Sequence, residues 1–106
     1  MKIITREFTL LRGIETGWGC GYVIIPPGHP MHGVHYNDIP VSCHGGLTFS
    51  DSASELDWPE ITEEDADGWV VGFDTAHIGD TLTKWTDEAS VIREAEKLRE
   101  QLMELA

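Results

Sequence analysis

Apolar and polar residues alternate along "KIITREFTLL", Lys2 to Leu11, and again along "WGCGYVII", Trp18 to Ile25, with "RGIETG" as a turn region between them. A period of two marks a strand with one buried face, so the two segments predict an N-terminal hairpin. The alternation returns in "VSCHGGLTFS", where Val41, Cys43, Leu47 and Phe49 share one parity and Ser42, His44, Thr48 and Ser50 the other. In "GWVVGFDT", Trp69, Val71 and Phe73 alternate with Val70, Gly72 and Asp74. These segments predict a second hairpin, with a core face and an open polar face. Between the hairpins, "PPGHPMHGVHYNDIP" carries Pro26, Pro27, Pro30 and Pro40 and predicts a long loop.

The period changes near the C-terminus. In "TDEASVIREAEKLREQLMELA", Val91, Ala95, Leu98, Leu102 and Leu105 step by three and four residues, the spacing of one helical stripe. Thr86 or Asp87 supplies the N-cap, and Asp87 and Glu88 suit the positive end of the helix dipole. The stripe covers only about two heptads, too few for a coiled-coil seam, which favours packing on the sheet and leaves monomer and dimer both open. The expected fold is α+β: one domain, 1–106, with a mainly antiparallel sheet of three to five strands and the C-terminal amphipathic helix on one face.

Composition changes this picture in two places. The hydrophobic content of 41%, with four Trp, three Phe and two Tyr, is enough for one aromatic-rich core. The net charge is −12, and eight of the acids fall between Asp51 and Asp67 without a base, so the rest of the chain carries only −4. Such a field repels phosphate backbones and disfavours direct nucleic-acid binding. The acidic loop 51–67 reads as a solubilising surface, or as an acidic docking patch or nucleic-acid mimic aimed at a basic partner. No stretch has the apolar length of a signal peptide or a membrane span, so the expectation is a soluble, cytoplasmic protein. Cys20 and Cys43 lack the paired spacing of a zinc ribbon and read as reduced, buried small hydrophobes.

The candidate chemistry lies on the polar parity. His44 and Thr48 on one strand face Asp74 on the next, and "DTAHIGD" adds His77 and Asp80 within seven residues. Asp74 and His77, three apart, can face one point. Carboxylate and imidazole together suit either a divalent cation, with His44, Asp74, His77 and Asp80 as ligands, or acid–base work by His44, Asp74 and His77. Gly45, Gly46 and Gly72 leave backbone bare, either for close approach of a ligand or to form a bulge. Of the loop histidines His29, His32 and His35, His29 is the preferred contributor. The dinucleotide, P-loop, zincin and nucleophile-elbow motifs are absent.

The motifs "GHP" at Gly28–Pro30, "HGGLT" at His44–Thr48 and "GFDTAH" with "GD" at Gly72–Asp80 resemble a family of short, uncharacterised proteins encoded in bacteriophages, prophages and some bacterial genomes. The similarity runs from about Trp18 to Asp80 and leaves out the terminal helix, and His32 and His35 fall outside its pattern. The resemblance implies an accessory phage-type product acting in a host cytoplasm, and implies no reaction. Three functions stay open. One is a small polar site, metal-dependent or not, that binds or hydrolyses a small polar ligand. Another is a non-catalytic acidic protein that engages a host factor. The third is a His/Asp network with a purely structural role.

Overall fold

The computed structural model describes residues 1–8, 16–77, 80–81, 84–85 and 87–106. Four strands, β1 (Ile3–Glu7), β2 (Gly19–Ile25), β3 (Phe49–Ser52) and β4 (Trp69–Asp74), precede one helix, α1 (Glu88–Glu104). They form an antiparallel sheet in the order β1-β2-β4-β3. Both predicted hairpins are present: β1 pairs with β2, with Ile3 opposite Val23, and β3 pairs with β4, with Phe49 opposite Gly72. The expected reach of the first strand to Leu11, most of the turn after it and the alternative cap Thr86 lie outside the described residues.

α1 forms where the sequence places it. The Asp87 carboxylate accepts the Ser90 N–H, and the Ser90 side chain answers toward the Asp87 backbone, so the first turn is capped from both directions. Val91, Ala95, Leu98 and Leu102 are buried on the sheet against Val23, Ile25, Val71 and Phe73. Gly21 is required at this crossing, because a Cβ there would overlap the Phe73 ring.

The opposite face of the sheet is not open, which corrects the expectation of a bare polar surface. Ile4, Tyr22, Ile24, Ala53 and Val70 form a second buried cluster, with Leu56, Trp58 and Ile61 packed against it. Those last three belong to the acidic segment, which is therefore a cover rather than a free loop. Its acids alternate with enough apolar residues to fold it back, and two ion pairs fasten it: Lys2 Nζ–Asp65 Oδ2 and Arg6 Nη1–Glu60 Oε2, each 2.9 Å. Arg6 also lies over the Trp58 ring, 4.7 Å from its centroid. Covering both faces explains why β2 and β4, the central strands, are buried on both parities.

A second correction concerns "VSCHGGLTFS". Only Phe49–Ser52 is strand; residues 41–48 are irregular with a turn at His44 and Gly45. The turn closes through Gly46 N–H to the Cys43 carbonyl, with Gly45 and Gly46 at φ +70° and +78°. Two consecutive left-handed residues break the extended backbone that the alternation assumed. Val41, Cys43 and Leu47 still pack on the helix side, whereas Phe49 packs on the other. Instead of joining β4, residues 42–44 are bound to α1: Gln101 accepts the Ser42 N–H and donates to its carbonyl, and Glu94 Oε2 accepts the His44 N–H at 3.1 Å.

Candidate functional site

Asp80 is the centre of the polar cluster. Its side chain is 5% exposed, and its two oxygens take separate donors. The His44 ring donates from Nε2 to Oδ1 over 2.7 Å, and the His77 ring places Nδ1 3.1 Å from Oδ2. The His77 backbone N–H also reaches Oδ2, at 2.8 Å, while the Asp80 N–H returns to the His77 carbonyl. This reciprocal pairing is a side-chain-closed turn of the kind aspartate favours. An ionised Asp80 accepting from both rings fixes the protons on His44 Nε2 and His77 Nδ1.

Burial by itself would raise the Asp80 carboxyl. The hydrogen bonds from the His44 ring, the His77 N–H and the His77 ring together outweigh it and hold the carboxyl below its ordinary 3.8. The two imidazoles meet edge to face, with centroids 5.3 Å apart. Gly45 makes this approach feasible, since a Cβ there would overlap the His77 ring. Asp74 stands beside the cluster with Oδ1 3.6 Å from His77 Nδ1. Its other oxygen accepts the Thr48 hydroxyl, and Oδ1 accepts the Ala76 N–H.

The structure thus brings His44, His77 and Asp80 together and sets Asp74 and Thr48 at their edge. His29 is engaged elsewhere: Met31 N–H donates to its Nδ1, so Nε2 donates to the Leu102 carbonyl at the end of α1. His32 Nε2 lies 2.7 Å from the Asp67 carbonyl, and His35 accepts the Asn37 N–H at the start of a single 3-10 turn. Of the glycines, Gly72 is covered by the Tyr22 ring and Gly45 by His77, while Gly46 has open space where a Cβ would point.

Two residues at the site carried no expectation from the sequence. Trp85 is buried, and its ring packs on His44 with centroids 4.6 Å apart. The chain holds it there through Trp18 N–H to the Trp85 carbonyl and Trp85 N–H to the Thr81 carbonyl. Glu94 lies off the apolar stripe of α1 yet anchors the His44 backbone. An isolated aromatic before a helix cap was the available signal for the first; nothing local marks the second.

His77 and Asp74 also face an open groove of about 790 Å³, whose walls include Arg6, Phe8, Cys20 and Tyr22. Burial pushes the Cys20 thiol and the Tyr22 hydroxyl up, so both are protonated near neutral pH. Cys43 is pushed up to about 12, by burial first and then by the Glu94 charge. Neither free cysteine is a ready thiolate.

One atom from each of His44, His77 and Asp80 lies within 4.8 Å of the others. Ligands of one tetrahedral zinc ion, each at about 2.0–2.2 Å, lie about 3.3–3.6 Å apart, so the three side chains would have to rearrange to hold a cation, His44 and Asp80 by parting from their 2.7 Å hydrogen bond. No family model matches the chain, and neither the curated proteins nor the solved structures contain a match to it.

Proposed function

We propose that His44, His77 and Asp80 bind a divalent transition-metal ion, with Asp74 as the flanking carboxylate, and that the adjoining groove receives a small polar ligand. The observation that carries this reading is the convergence of two imidazoles and one buried carboxylate within 4.8 Å. Imidazole and carboxylate suit zinc, cobalt or manganese, and a set of three protein ligands leaves a coordination position for water or substrate. Binding would replace the ring protons on His44 Nε2 and His77 Nδ1, so affinity falls as pH falls. His77 and Asp74 reach both the cluster and the groove, which gives Asp74 the position of a proton acceptor next to a bound water.

Titration of the chelator-treated protein with Co²⁺ tests this. A saturable d–d absorption that is lost in His44→Ala and in His77→Ala is the expected result. Absence of saturation, or equal binding by both variants, rejects it. A structural role for the network is the second reading, favoured by the full set of donors that Asp80 already has. A large fall in melting temperature for Asp80→Asn, with no response to metal in the wild type, would select it.

A further inference from the structure

We propose that Lys84, Arg93 and Lys97 form a pocket for a small phosphate-type oxyanion, with the Trp85 indole as one of its walls. The pocket is about 190 Å³ and also includes Ser90 and Glu94. That is below the roughly 300–1,000 Å³ of sites for larger ligands and suits a small ion.

Charge is the first reason. The chain has only seven Lys and Arg residues against nineteen acids, yet three of the seven meet here. Among the described residues, none of the three side chains has an ion-pair partner, whereas Lys2 and Arg6 both do. In so acidic a protein, three adjacent unpaired cations repel one another and are relieved by an anion. Arg93 and Lys97 are one helical turn apart on α1, so they present their charges to the same side.

The buried polar inventory is the second reason. The Trp85 indole N–H is the one buried side-chain donor or acceptor without a partner among the described residues. An unmatched buried donor carries a desolvation cost; this one has almost no accessible surface, so an anion in the pocket reaches it only by a shift of the indole wall. Glu94 brings one negative charge to the pocket, with one oxygen on the His44 N–H, against three cations. Ser90 is committed to the cap of α1. The proposal does not depend on the metal reading, although Trp85 touches both places, through His44 on one side and the pocket on the other.

Nuclear magnetic resonance of the full chain provides the test, with ¹H–¹⁵N spectra recorded at constant ionic strength set by chloride. Inorganic phosphate and glycerol phosphate are titrated separately, and the Trp85 indole signal is assigned with Trp85→Phe. The expected result is a saturable shift of the Trp85 indole, with those of Trp58 and Trp69 unmoved. In the R93Q/K97Q double variant the affinity should be weaker by roughly tenfold, the scale of two exposed charge contacts. Arg93 and Lys97 are exposed, so that variant keeps the fold. Tighter binding of the monoester identifies a phosphorylated metabolite as ligand, and equal binding identifies the free ion. A non-saturating drift with both anions, or identical curves for wild type and double variant, overturns the proposal.

Discussion

Asp80 joins two histidines from different parts of the chain, and its ionisation should be visible in stability. Its carboxyl is held below 3.8 in the folded state, so the folded protein binds fewer protons than the unfolded one around that pH. The stabilisation is complete above the ordinary value and is lost as pH falls through the lower folded value. Asp80→Asn should therefore melt below wild type at pH 6, and the gap should narrow as the pH drops under about 4. Calorimetric scans across that range check it; a gap constant with pH would contradict the assignment. The association of His77 with Asp74 was readable from their spacing of three residues, and that of Asp80 from its place in the same seven-residue run. That of His44 was readable only as a parity argument that failed, because Gly45 and Gly46 turn the chain through positive φ. His44 still arrives at Asp80, by way of a turn fixed to α1 rather than a place on a strand.

Among the elements, α1 and both hairpins were legible because their signals are local: a 3.6-residue stripe with a cap, and period-two runs. The covering of the second sheet face was not. Leu56, Trp58 and Ile61 are separated by acids and have no regular period, so a charge count hides them. Their role emerges only once β4 returns beside β2 and offers Val70, Tyr22 and Ile24 as a surface. The helix interface, by contrast, supports a quantitative expectation. Leu98 is fully buried on α1 between Ala95 and Leu102, and Leu98→Ala should cost about 2–5 kcal/mol in urea unfolding. A loss below about 1 kcal/mol would mean that α1 is held by its cap and by Gln101 and Glu94 rather than by its apolar stripe.

For the whole molecule, the −12 charge divides into acids that fasten and acids that do not. Glu60 and Asp65 pair with Arg6 and Lys2, whereas Glu63, Glu64 and Asp67 are exposed. Removing the latter three as E63Q/E64Q/D67N should leave unfolding free energy within about 0.5 kcal/mol of wild type, or raise it slightly by easing self-repulsion. E60Q/D65N should lower it by up to about 1 kcal/mol for each partly exposed pair. Equal effects of the two variants in urea titrations would deny the division. The triple variant is also the fair probe of a basic protein partner, since it changes charge without loosening the cover over Trp58.

The bonds from Gln101 to Ser42 and from Glu94 to His44 have one more consequence. The His44 backbone is tied to the terminal helix, whereas His77 follows β4, one of the two central strands, so the three polar groups lie where a helix-bound turn meets a sheet-bound one. An ion gripped there would act as a rivet between the two turns. Amide exchange along both sides would slow in step on loading, and peeling the helix away would eject the ion.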